Sequence, residues 1–406
     1  MLLRPTPPLH LTYCLNVHPG ETLADVRASI ATHALEVRRA VCPDKPFGLG
    51  LRLSRRAVSE LADPAAVAAL GVSLTDQGLY AFTINGFPYG TFHGQAVKTD
   101  VYRPDWTDPR RLDYTRDLAD CLAGLLPEGI DGSISTSPLS YKAWPQDPAA
   151  QSRLFDHLAA LVAHLHRLRL RTGREIHIGL EPEPDCTLET TAETIAWFEG
   201  PLDREGPSRL AALLGCSRTE AAALFRRHLG VCVDTCHLAL QFEDLADSLT
   251  ALARHGIRIS KVQLSAALEC EPTVAARSRL ADFVDPVYLH QVKVGPQRPC
   301  VTGEPQSFPD LPVALASADS TEALWRIHFH VPLYFEGDAV LRSTAMTLDD
   351  RFWRTLTTVP ISHLEIETYT FHVLPPSLQA GGVARSIARE FEWVLPRLAA
   401  TVAKGT

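Results

Sequence analysis

The 406-residue chain has no C-x-x-C pair, no Gly- or Ser-rich linker, no internal repeat and no apolar run of bilayer-spanning length. Each absence removes a class of protein. Without paired spacing the nine cysteines form neither a zinc-finger nor a thiol-redox motif, and reduced cytosolic thiols are expected. The opening MLLRPTPPLHL is broken by prolines and lacks the continuous apolar core of a secretion signal. No window reaches the length of a membrane span, so an integral membrane protein is not expected. Positive charge is also scarce: 39 Lys and Arg face 47 Asp and Glu, for a net charge of −8 and a pI near 6.1. Such a balance gives no general attraction to nucleic acid or anionic lipid. The expectation is a cytoplasmic protein with a small-molecule partner and no nucleic acid.

What is present is an alternation of short apolar runs with longer amphipathic segments. Strands are expected over 11–17, 48–53, 79–85, 132–137, 176–180, 230–234, 257–264 and 362–370. Helices are expected over 21–40, 54–70 with an interruption at Pro64, 109–126, 151–171, 188–198, 207–228, 241–255, 273–283 and 378–403. Eight strand-helix units over this length predict a (β/α)8 TIM barrel as one domain covering residues 1–406, its site at the carboxyl ends of the strands. The irregular segment from about 270 to 335 reads as an arm inserted between strands seven and eight. It carries a further strand at 324–333, LWRIHFHVPL, with His328 and His330 on one face. A duplicated α/β sandwich is the competing fold.

Chemistry-bearing side chains gather at the ends of the late strands. GVCVDTCH delivers Asp234 and His237 where a β-branched run turns helical, and hard oxygen beside imidazole nitrogen suits zinc, manganese or iron. Asp234 as the cap of the following helix, with His237 filling a loop, is the plain alternative. GLEPEP ends the fifth strand in Glu181 and Glu183, stiffened by two prolines. In SHLEIETYT, Glu365 and Glu367 interrupt an apolar run, and buried charges there require a partner or a metal. The seventh strand presents Gln263 and Ser265. The stretch GFPYGTFHG, residues 86–94, offers Phe87, Tyr89 and Phe92 as a pocket wall, with an ordinary turn and loop as the alternative. Lys142, after GSISTS, is placed to meet an anionic group, or is simply solvated. His157, His164 and His166 read as helical surface residues.

VCVDTCH, GLEPEP and LEIETYT resemble the Asp-Thr-x-His, glutamate and closing glutamate strands of the xylose-isomerase-like barrel superfamily, which holds sugar isomerases, epimerases and apurinic endonuclease IV. HLTYCLNVHPGE, GLGLRLS, FTINGFPYGTFHG, YRPDW, GSISTSPLSYK and RIHFHVPLY together resemble the EboE family, named as metabolite-traffic proteins, over nearly the whole chain. The resemblance implies a divalent metal on Glu181, Asp234 and Glu367, with His237 as a ligand or in contact with substrate oxygen. Gln263 stands where epimerases and endonuclease IV carry a histidine, and His330 restores an imidazole from the arm. Asn85 and Thr136 stand where endonuclease IV has two early histidines, which speaks against a trinuclear phosphodiesterase cluster. Glu181, Glu367 and His237 are the implied catalytic residues, with Glu183, Glu365 and Lys142 as second choices. Asn85, Lys142, Phe87 and Tyr89 are expected to touch a sugar-like substrate. The family name implies metabolite traffic, association with other proteins of one pathway, and a non-catalytic carrier as the alternative to an isomerase or epimerase; a nuclease ranks last.

Overall fold

Runs such as Leu229–Asp234 (LGVCVD) and Ile176–Leu180 (IHIGL) are buried along their whole length, the pattern of strands covered on both faces. Eight such runs are the staves of a barrel in a computed structural model that describes residues 1–145, 147–296, 306–317 and 323–402. They are β1 Pro8–Tyr13, β2 Phe47–Arg52, β3 Leu79–Asn85, β4 Gly132–Thr136, β5 Ile176–Leu180, β6 Leu229–Asp234, β7 Arg258–Leu264 and β8 His363–Ile366. Neighbours pair in parallel from β2 through β8, and β8 returns to β1. A parallel bridge from Cys14 to Gly50 closes the ring, and the Thr12 hydroxyl donates to the Gly48 carbonyl at 2.8 Å. The fold is a (β/α)8 barrel. Leu2–Pro5 adds an antiparallel strand outside β1.

Several boundaries differ from expectation for local reasons. The first strand ends at Tyr13, and Leu15–Val17 forms a short 3-10 turn that swings Asn16 inward. The segment read as one helix over 207–228 is two, Asp203–Leu214 and Arg218–His228. Gly215, at φ +67°, ends the first, and the Ser217–Glu220 capping box starts the second. An unanticipated helix, Asp350–Thr358, precedes β8. The last helix is Val383–Val402, and residue 403 of its expected span lies outside the described residues.

Between β7 and β8 the arm carries its own antiparallel sheet, in the order Gln306–Phe308, Val292–Pro296, Ala323–Ile327, Leu268–Cys270, Arg342–Ser343. The expected strand over 324–333 ends at Ile327. His328 and His330 follow it in irregular backbone, where the Val331 amide reaches the Ala266 carbonyl and folds the chain back over the barrel. Trp325, Ile327 and Phe329 share one apolar core with the barrel strands. Lys293 locks the arm to the loop after β5, 2.8 Å from Asp185 and 2.5 Å from Glu189. No helix among the described residues is long and apolar enough to cross a membrane.

Candidate active site

The loops at the carboxyl ends of the strands surround one cavity, whose walls include Glu181, Glu183, His237, His328, His330 and Glu367. Asp234 closes β6 and caps the helix Thr235–Leu240 with a single oxygen: Oδ1 accepts from the amides of Cys236 (2.7 Å) and His237 (3.2 Å) and from Ser265 Oγ (2.5 Å). Capping and a site role are therefore compatible, because Oδ2 is buried and has no partner. Glu181 follows β5, its amide held by the Thr136 carbonyl at 3.0 Å, and its Oε2 is likewise buried and unpartnered. Glu367 follows β8 and is held by two amides: Asn16 and Asn85 donate to its Oε1 at 2.6 and 2.9 Å. One oxygen from each of Glu181, Asp234 and Glu367 lies within 4.8 Å of the others.

Three imidazoles complete the wall. Each donates Nδ1–H to a carbonyl oxygen: His237 to Pro182 (2.9 Å), His328 to the Gln291 side chain (2.8 Å) and His330 to Glu367 (2.9 Å). This pattern fixes the tautomer and leaves Nε2 as a lone-pair donor. The Nε2 atoms of His328 and His330 are buried without a partner, and that of His237 lies 3.6 Å from Glu183 and 3.9 Å from Asp234. His237 and His330 form a second donor set with Asp234, and His237 and His328 a third with Glu183.

Charge is unbalanced here. Burial first, and neighbouring carboxylates second, push Glu181, Glu183 and Glu367 well above the ordinary carboxylate range. Burial pushes Asp234 the same way, but His237, His330 and the Ser265 hydrogen bond outweigh it, and its value falls below normal. Burial keeps the imidazoles neutral, with His330 lowered to about 4. Converging carboxylates with unpaired oxygens beside neutral imidazole nitrogens fit a divalent cation, whose charge supplies what burial removes.

The other expected site residues are distributed as follows. Phe87 and Asn85 line the cavity. Gln263 is buried but is not on the cavity wall; its Oε1 accepts the Cys232 thiol at 2.8 Å, so the oxygen expected to serve as ligand is already engaged. Lys142 lies away from the cavity because Glu189 (2.6 Å) and Glu193 (2.8 Å) hold it. Tyr89 packs edge-on against Tyr114 and faces an outer surface depression. Glu365 points into the barrel interior, 2.5 Å from Lys261. Sequence reasoning missed Asn16, Tyr102, Tyr288 and Tyr369, all on the cavity wall. Only Asn16 had a signal, a polar residue interrupting an apolar run at a strand end.

No protein-family model matches the chain, and no curated protein matches it. Among solved structures it is similar to a xylose isomerase domain protein from Planctomyces limnophilus, at 12% identity over 91% of this chain and 92% of that one, with a TM-score of 0.49. It is also similar to the IolI protein with a binding zinc atom (9% identity, 97% and 99% covered, TM-score 0.48) and to L-ribulose 3-epimerase (11%, 98% and 96%, 0.48).

Proposed function

We propose that the barrel holds a divalent cation, manganese, zinc or iron, on Glu181, Asp234 and Glu367, and isomerises or epimerises a small polyol-like metabolite. The observation that carries this reading is the convergence of three buried carboxylates on one point, two of them with an unpartnered oxygen. Bound there, such a cation would polarise the carbonyl and hydroxyl of the substrate and lower the barrier to removing the proton between them. Glu181 and Glu367 would take and return that proton as general base and acid, and His237 lines the same cavity to contact substrate oxygen. His330 adds an imidazole donor from the arm, while Gln263 contributes none through its engaged oxygen. Asn16 and Asn85 orient Glu367.

The resemblance to EboE proteins supports a place in metabolite handling, together with other proteins of the same pathway. It also supports a second reading, a barrel that binds and passes on its metabolite unchanged, which the engaged oxygen of Gln263 favours. Asn85 and Thr136, where endonuclease IV has two early histidines, and the net charge of −8 disfavour a phosphodiesterase. The Glu181→Gln protein, assayed on a panel of ketoses and aldoses, separates the readings. Metal uptake and turnover fall together if Glu181 serves both, and undiminished turnover removes it from the mechanism.

A further inference from the structure

Three residues on the cavity wall stand outside the carboxylate set. One oxygen of Glu183 and one ring nitrogen each of His237 and His328 lie within 4.8 Å of one another, and all three side chains are buried. His237 Nε2 is 3.6 Å from Glu183 Oε1, and the His237 and His328 rings cross at 86° with centroids 4.8 Å apart. None of the three belongs to the group formed by Glu181, Asp234 and Glu367. Glu183 and His237 come from the barrel and His328 from the arm, so an ion here would join the two.

A single polar network orients all three from behind, and it is built around the loop after β5. The Pro182 carbonyl accepts His237 Nδ1–H at 2.9 Å. The Pro184 carbonyl accepts from Gln291 Nε2 at 3.2 Å, which turns Gln291 Oε1 towards His328, where it accepts Nδ1–H at 2.8 Å. The Tyr102 hydroxyl accepts from the same Gln291 Nε2 at 3.3 Å and donates to Glu183 Oε2 at 3.5 Å. Both Nε2 lone pairs and Glu183 Oε1 are thereby left for a ligand. Outer hydrogen bonds of this kind fix the tautomer and ring orientation of a metal-bound imidazole. His328 Nε2 is buried and, among the described residues, has no hydrogen-bond partner.

We infer that Glu183, His237 and His328 hold a second divalent cation, zinc, whose open side takes an oxygen of the substrate. This deepens the cation reading above by setting a second ion beside the first, and it draws on none of the same ligands. Two imidazoles and one carboxylate suit zinc and leave a coordination position free, whereas an all-oxygen set suits a harder ion such as manganese. A substrate with oxygens on adjacent carbons can then meet one cation with each. With one carboxylate against three, the second set attracts its ion less strongly, so it fills on loading.

The test is the zinc content of the full chain, stripped with chelator, loaded with zinc and dialysed free of unbound ion, by elemental analysis. The parent holds about two equivalents, and Glu183→Gln and His328→Ala each hold about one. Glu181→Gln also holds about one, because it spares the second set. Gln291→Leu keeps every ligand but loosens the second ion about ten-fold or more, read by chelator competition. The isosteric Glu183→Gln decides if His328→Ala fails to fold. A single equivalent that Glu181→Gln removes overturns the inference and leaves the carboxylate-bound cation standing. Two equivalents retained in both Glu183→Gln and His328→Ala place the second ion elsewhere and also overturn it. A single equivalent lost in Glu183→Gln and kept in Glu181→Gln upholds the new site and defeats the carboxylate one; no zinc at all defeats both.

Discussion

Replacing Lys261 with methionine strands a carboxylate inside the barrel. Lys261 on β7 and Glu365 on β8 face each other across 2.5 Å, and neither side chain has any exposed surface. Lys261 meets Oε2, Glu365 Oε1 has no hydrogen-bond partner, and Gly50 opposite leaves room for it, since a Cβ there would collide with that oxygen. Removing one member of such a pair costs about 3–5 kcal/mol, because the remaining charge stays desolvated. With an unfolding entropy of about 2 cal/mol/K per residue over this length, that is a fall in Tm of roughly 4–6 °C. Thermal and urea unfolding of Lys261→Met, followed by circular dichroism, measures it. The double variant Lys261→Met, Glu365→Met removes both charges at similar volume and recovers more than half of the loss. A single variant within about 1 kcal/mol of the parent, or a double variant no more stable than the single, refutes the reasoning.

Asn16→Ala takes one of two amide donors from Glu367, and weakens metal affinity about ten-fold or more while global stability changes little, which metal titration and a melt resolve together. Glu390 on the last helix accepts from the Leu333 amide and the Thr368 hydroxyl, and burial raises its carboxyl to about 7. Its folded value lies above the unfolded one, so its stabilisation is complete below about pH 4.5 and is lost as pH rises towards 7, at about 1.4 kcal/mol per unit. Glu390→Gln should flatten that part of the urea-unfolding profile, and an unchanged difference between pH 5 and pH 7 contradicts the assignment.

Much of the barrel was legible because parallel strands buried on both faces must be short apolar runs, and the chain separates them with amphipathic helices. Strands 79–85 and 176–180 were placed to the residue. The positions of Asp234 and Glu181 were legible for a related reason: a carboxylate just past an apolar run sits at a barrel mouth whatever the helices do. Glu365 and Glu367 looked alike within one run, and only the resemblance pointed to Glu367. The arm was not. Its strands pair antiparallel across long sequence separations, as between Val292 and Ile327, and no local periodicity encodes such pairing. His328 and His330 reach the cavity from irregular backbone, so the alternation argument placed them near the site for a different reason. Lys142 and Tyr89 looked available because sequence does not show that Glu189, Glu193 and Tyr114 would hold them elsewhere. Asn16 acts on Glu367 from the other end of the chain, a contact only closure of the barrel creates.

The account depends most on the cation. Elemental analysis of protein purified without added metal, beside an Asp234→Ala control, tests it directly. The expected result is near one equivalent of manganese, zinc or iron, lost in the control. Protein that carries none of the three, and takes up none when each is added, would contradict it.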